Sequence, residues 1–136
     1  MSQASDTPTL AELARAPYVS LATFRKSGAE VATPVWAAPA GARFYVFSAG
    51  DAGKIKRLRN SDRARLAVCD VRGKLRSGWI DARAVLVSDT SEVARALAAL
   101  HEKYGWQMWL ADAGSKLTGR YHNRAYIRIE ASPRSD

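Results

Sequence analysis

Cysteine and histidine are scarce in this chain: Cys69, His101 and His122 are all that 136 residues contain. A lone cysteine forms no internal disulfide, and its place in the apolar run RARLAVCDV reads as a buried, inert thiol rather than a redox centre. One cysteine and two histidines do not fill a four-ligand zinc site by themselves, so no metal is expected. No run approaches the roughly 18 apolar residues of a membrane span. The first ten residues, MSQASDTPTL, have neither the basic start nor the apolar core of an export signal, so a cytoplasmic protein without a membrane partner is expected. Also absent are a Gly-x-Ser-x-Gly elbow, a Walker-type phosphate loop and a GxGxxG fingerprint, which leaves hydrolase, NTPase and Rossmann readings without support.

Acidic residues are outnumbered, 13 against 21 basic, for a net charge of +8. Such a balance attracts polyanions. The cations are nevertheless spread over three stretches with no helix-turn-helix, zinc-finger or RNA-binding signature, so most read as solvated surface and nucleic acid is not the expected partner. With 47% hydrophobic and 25% charged residues, the composition is that of one globular domain over residues 1–136, with loose tails at 1–8 and 132–136.

Taken in order, Thr9 followed by Glu12 resembles a capping box opening a short helix that Pro17 ends. YVSLATF (18–24), a polar turn and a return strand over 30–38 predict a hairpin, with Pro34 marking an edge, a bulge or a ligand-facing bend. The next strand places Phe44 and Val46 on one face and Tyr45 and Phe47 on the other, so both faces are expected to be covered. A basic helix follows, with Ile55 and Leu58 spaced toward the core. Two more strands then alternate apolar residues, at Ala64, Leu66 and Val68 and at Ile80, Ala82, Ala84 and Leu86. Asp89 or Thr90 caps a longer helix with Val93, Leu97, Leu100 and Tyr104 on one face and Glu92, Arg95 and Glu102 on the other. Residues 105–123 read as irregular, and a last strand is expected near 125–131. Strands interrupted by isolated helices favour a mostly antiparallel α+β barrel over a doubly wound sheet.

The stretch RFYVFSAGDAGKIKRLRN, Arg43 to Asn60, is the strongest chemical signal. A strand enters a small-residue turn opened by Ser48, Asp51 is placed to cap the next helix, and Lys54, Lys56, Arg57 and Arg59 put cations on it. Backbone N–H groups, a helix N-terminus and cations together favour a phosphate. Taken alone, Lys54 also reads as an ordinary solvated helix charge.

The ordered set YVSLATF, TPVW (33–36), FYVFSAGDAGK (44–54) and LRNSDRARL (58–66) resembles the pyridoxamine 5′-phosphate oxidase-like superfamily of flavin and deazaflavin oxidoreductases, over nearly the whole chain. KYGW at 103–106 resembles the short branch of F420-dependent enzymes. The resemblance implies a split β-barrel with two or three flanking helices, acting as a homodimer on a small-molecule substrate. It implies F420 or FMN as cofactor, with phosphate contacts at Ser48 and Lys54 and the ring along Thr33, Pro34, Val35 and Trp36. Abundant Lys and Arg favour F420, whose tail is polyanionic. Where many members carry Arg before that lysine, this chain has Gly53, and Lys56, Arg57, Arg59 or Asn60 is placed to compensate. Arg83 corresponds to a position near the ring, where a cation stabilises an anionic reduced form. Ala49, beside Ser48, and Trp106, in the KYGW segment, complete the implied cofactor-binding set.

No catalytic acid or base is assigned, because such a cofactor carries its own hydride chemistry. Trp36, Trp79, Trp106 and Trp109 wall a cofactor pocket or pack in the core or dimer interface. Oxidation of pyridoxamine phosphate itself is not expected, since the chain ends at Asp136 without the extension that holds that substrate. The alternatives are a non-catalytic cofactor- or haem-binding module of the same fold, or a basic protein that contacts nucleic acid.

Overall fold

The computed structural model describes residues 7–132; the tails expected at 1–8 and 132–136 lie largely outside them. Helix α1 (Leu10–Arg15) opens with the expected capping box: the Thr9 hydroxyl accepts from the Glu12 N–H at 3.0 Å, and the Glu12 carboxylate accepts from the Thr9 N–H at 2.9 Å. Strands β1 (Tyr18–Phe24) and β2 (Glu30–Val35) form the predicted hairpin. Then come β3 (Ala37–Ala40), β4 (Arg43–Ala49), helix α2 (Gly53–Asn60), β5 (Arg63–Cys69) and β6 (Ile80–Val87). Helices α3 (Thr90–Tyr104) and α4 (Trp106–Thr118), a 3-10 turn at Tyr121–Asn123 and β7 (Arg124–Ala131) complete the chain.

All seven strands lie in one antiparallel sheet, ordered β2-β1-β5-β6-β7-β4-β3. Its two edges are consecutive in the chain, since β2 and β3 are separated by Trp36 alone. One residue bridges the edges only if the sheet curls round until they meet, which makes an α+β split barrel. The single strand expected over 30–38 is therefore two strands on opposite edges. Pro34 stands on the edge strand β2, where its missing N–H costs no ladder bond.

The barrel interior is filled from alternate strand positions, including Val19, Leu21, Phe44, Val46, Leu66, Ala84, Ile127 and Ile129. Leu13 of α1 and Ile55 and Leu58 of α2 join this core; each such side chain contributes roughly 1.5–3 kcal/mol on burial. A second cluster lies outside the barrel, where α3 covers the β3–β4–β7 half: Ala96, Ala99, Leu100 and Tyr104 pack on Ala38, Tyr45 and Tyr126, with Met108 of α4. Both faces of β4 are thus covered, as its alternation predicts. Trp36 stacks on Tyr104 with ring centroids 4.6 Å apart and meets Phe47 edge-on.

Two expectations need correction. Residues 106–118, read as irregular, form α4, so among the described residues four helices flank the barrel rather than two or three. Met108 is the one described α4 residue that is buried, so the segment has no amphipathic period to read; its boundaries are glycines, Gly105 (φ 55°) and Gly119 (φ 76°), in the left-handed half of backbone space. Glu92, placed on the solvent face of α3, is buried instead. Its carboxylate accepts from the Tyr45 hydroxyl at 2.9 Å and from Arg128 Nη1 at 2.8 Å to each oxygen, and the Arg128 guanidinium holds its pKa below the usual carboxylate range.

Candidate functional site

Helix α2 lies against β1 and β6, and its neighbours decide what its cations do. It has no side-chain cap: Ala52 is the N-cap residue, and Asp51 does not take the role expected of it. The Ile55 N–H donates to the Ala52 carbonyl at 3.1 Å, while no side chain caps the N–H groups of Gly53 and Lys54. The Lys54 side chain stands beside them, partly buried, with its pKa lowered by desolvation and by the Arg57 charge.

Arg57 reaches back one turn over Gly53. A Cβ added at position 53 would fall 2.8 Å from Arg57 Nη1, so the glycine leaves the space that this guanidinium occupies. Arg57 Nε donates to the Thr23 hydroxyl at 2.6 Å, which anchors it on β1. Its own pKa is lowered by desolvation and then by Arg25. Among the described residues, neither Lys54, Arg57 nor Arg25 has a carboxylate partner, although seven other basic side chains do. Three like charges at one spot repel one another by about 1 kcal/mol or more per close pair unless an anion intervenes.

Thr23 and Arg25 flank Phe24 at the end of β1, where the outer face of β2, β1 and β5 begins. That face is built of small residues: Ser20 is paired with Pro34 and Ala67, and Ala22 with Ala32; Ser20, Ala22 and Ala67 are buried, and the turn at Gly73 comes close to Pro34. Arg63 stacks over Phe24 at 3.9 Å and Arg65 over Trp79 at 4.8 Å, forming its charged rim. On this face the exposed small residues are Ala32 and Pro34, on the edge strand β2.

The residues expected to bind cofactor are divided by the fold. Gly53 and Lys54 belong to the cation cluster. Pro34 is exposed on the outer face, while Thr33 and Val35 alternate into the barrel opposite Leu21 and Val19, and Trp36 enters the Tyr104 cluster. The Thr33 hydroxyl is buried without a hydrogen-bond partner. Ser48, Ala49 and Arg59 line a separate cavity on the other side of α2. Asn60 donates to the Lys56 carbonyl at 3.3 Å. Arg83 is engaged by Asp62, through Nε at 2.9 Å and Nη2 at 2.6 Å, and that hydrogen bond raises its pKa. Trp106 is 70% exposed at the start of α4. Sequence reading passed over Thr23 and Arg25. Gly53 in place of a cation was the one sign that another side chain fills the gap.

Three other titratable groups, Cys69, His101 and Lys103, are engaged within the fold. Cys69 is buried, which pushes its thiol up to about 11, away from reactivity at neutral pH. His101 Nε2 lies 2.7 Å from an Asp112 oxygen. Lys103 donates to the Ala16 and Ala37 carbonyls at 2.7 and 2.6 Å, and burial pushes it down to about 8. Among the described residues, no helix is long and apolar enough to cross a membrane.

A curled antiparallel sheet whose consecutive edge strands diverge at one residue, with a cation-bearing helix at the end of the hairpin, defines a split-barrel protein. Residues 7–132 match the family model for pyridoxamine 5′-phosphate oxidase, and the chain belongs to that family. Solved structures share the fold at low identity. An FAD-binding protein from Mesorhizobium loti is 20% identical, with a TM-score of 0.59, covering 89% of this chain and 83% of that one. An F420 reductase is 14% identical, with a TM-score of 0.57 over 89% and 91% of the two chains. The haem storage protein HutZ from Vibrio cholerae is 14% identical, with a TM-score of 0.60 over 88% and 83%. No curated protein matches the sequence significantly.

Proposed function

We propose that this protein is an oxidoreductase that binds F420 or FMN, with the cofactor phosphate at Lys54 and Arg57 and the ring beside the edge strand β2. The observation that carries this reading is the cluster of Lys54, Arg57 and Arg25 without a carboxylate partner among the described residues, next to an uncapped helix N-terminus. Those groups fit a phosphate in charge and in donor type. Arg57 supplies the second charge that Gly53 omits, and Thr23 fixes its guanidinium in advance. Ala32 and Pro34, exposed on the edge strand β2, leave room for a flat ring beside it because their side chains are short. Such a cofactor supplies hydride transfer when bound; the chain's part is to hold the phosphate, orient the ring and exclude water. The surplus of cations favours F420, with its acidic tail, over FMN.

A homodimer completes the reading. Trp106, Trp109, Leu110 and Leu117 of α4 are exposed apolar side chains that a second copy would bury. The test is titration of the full chain with FMN and with F420, followed by fluorescence. Micromolar binding of one of them is expected, weakened at least about tenfold by Lys54→Ala. Binding of neither sinks the proposal, and a Soret band with added haem would replace it by a haem-holding module.

A further inference from the structure

Helix α4 is loosely attached for its length. Met108 is its one buried residue among those described, Gly105 and Gly119 bound it at positive φ, and no side chain caps its N-terminus. Every side-chain hydrogen bond that ties it to another element among the described residues runs through Asp112 or Ser115. Those bonds end on His101 of α3 and on Arg124, the first residue of β7. We propose that Asp112 is an autoinhibitory carboxylate, which holds the Arg124 guanidinium against α4 until an anion entering the neighbouring cleft displaces it. The inference rests on the cofactor reading above, because that cleft is where the acidic end of the cofactor would lie.

The cleft, of about 890 Å³, is walled by the end of β4, by α2 and by the stretch from α4 into β7. It contains Ser48, Ala49 and Arg59 of the implied cofactor-binding set, and Arg124 lines it as well. Arg124 is fixed at its backbone: it pairs with Ala49 in the β4–β7 ladder, and the Gly50 N–H donates to the carbonyl of the preceding Asn123 at 2.7 Å. A Cβ at position 50 would lie 2.4 Å from that oxygen, so the two backbones meet this closely only at glycine. The guanidinium stacks on the Phe47 and Tyr121 rings at 4.4 and 4.8 Å. Its side chain is nevertheless only 4% exposed, with Nη1 donating to Asp112 Oδ1 at 2.6 Å and Nη2 to the Ser115 hydroxyl at 3.0 Å. A cation built into the cleft wall is thus occupied by a carboxylate from a weakly held helix.

Asp112 and an incoming phosphate or carboxylate compete for the same donors, since all are charged acceptors that a guanidinium binds with two N–H groups. Arg124 then exchanges one anion for another and is never left buried and unpaired. What decides the exchange is the free energy of letting Asp112 go, which is low for an element with one buried side chain. His101 Nε2, 2.7 Å from the second Asp112 oxygen, keeps a partner for the released carboxylate. The outer face of α4 is not disturbed. At about 100° per residue, Met108, Asp112 and Ser115 share the inner face, while Trp106, Leu110 and Leu117, all exposed, point the opposite way. Lys56, Arg59 and Arg120, exposed around the same cleft, supply the first attraction without any release.

The test is calorimetric binding of F420 in one arm and of pyrophosphate in the other, to the full chain at low salt, with amide exchange at residues 106–118 followed by NMR. Asp112→Asn keeps the shape of the side chain and removes its charge. It is expected to lower thermal stability, speed exchange at 106–118 and raise affinity for both probes about fivefold or more. A purely architectural Asp112 gives weaker or unchanged binding, and that result, or no pyrophosphate binding by the variant, overturns the inference. Asp51→Asn removes a carboxylate of the cleft lining without touching Arg124. It should change affinity less than about twofold and leave α4 exchange alone; an equal gain from both variants reduces the effect to net charge and also overturns the inference. In the parent, saturating pyrophosphate should itself speed exchange at 106–118, and unchanged or slower exchange there counts against the displacement. If pyrophosphate behaves as stated while F420 binds neither protein, the cofactor reading falls and the latch stands. If F420 binds the parent and Asp112→Asn alike, the latch falls and the cofactor reading stands.

Discussion

Arg128 and Arg57 are both arginines lodged against the sheet, and they differ in what faces them. Arg128 on β7 meets Glu92 of α3 across both carboxylate oxygens, within a network that Tyr45 completes. Arg57 on α2 meets a hydroxyl, a neighbouring lysine and another arginine. The first arrangement satisfies its own charge and holds α3 on the barrel. The second leaves positive charge in excess at a partly desolvated place, which costs the folded protein stability until an anion arrives. Paired charge in this molecule is architecture, and unpaired converging charge is where ligand chemistry belongs.

Removing Glu92 should have the largest effect. Glu92→Ala leaves Arg128 partly buried without its carboxylate, and a loss of about 3 kcal/mol in unfolding free energy is expected in urea denaturation. The matching change on the other side, Lys54→Met, removes a cation that the apo protein does not need. Stability should then stay within about 0.5 kcal/mol or rise, while cofactor affinity falls. Equal destabilisation by the two substitutions would erase the distinction between the regions.

Gly53→Ala separates the two effects within one residue. Alanine improves helix propensity by up to about 1 kcal/mol, yet its methyl would displace the Arg57 guanidinium. The expected result is an unchanged or higher melting temperature with weaker FMN or F420 binding. Weaker binding without any stability gain would locate the cost in the helix itself.

Lys103 gives the most specific test, since it is a cation satisfied by two carbonyls instead of a carboxylate. Burial lowers its folded pKa to about 8 from 10.5, so the unfolded chain binds more protons between those values. Stability contributed through this group therefore rises as pH increases across that window, by at most about 1.4 kcal/mol per pH unit. Urea midpoints compared between the parent and Lys103→Met should diverge in slope across the window. Parallel pH profiles would show that the lysine titrates as it does in water.

Much of this could be read from residue order. The capping box at Thr9 and Glu12, the hairpin, the two-sided β4 and the core positions Ile55 and Leu58 all rest on local chemistry and on the 2- and 3.6-residue periods, which act within one element. Gly53 could be read too, as a gap in an expected pattern. What failed was of a different kind. α4 buries one described side chain, so its sequence has no period to betray it, and Glu92 lies on a face that looks polar until Arg128 arrives from β7, 36 residues away.

The sequence by itself determined an antiparallel α+β barrel with a basic helix after a small-residue turn, because strand alternation, turn residues and caps are properties of neighbours along the chain. Only the tertiary structure decided that Trp36 joins the two edges of the sheet, and that the four cations of α2, interleaved with Ile55 and Leu58 in sequence, separate two and two on either side of the seam those residues bury. The physical reason is that charge acts through space. Which flank a lysine shares with which loop is set by how the barrel closes, and the closure of Gly50 onto Asn123 and of Arg57 over Gly53 has no counterpart in the order of residues.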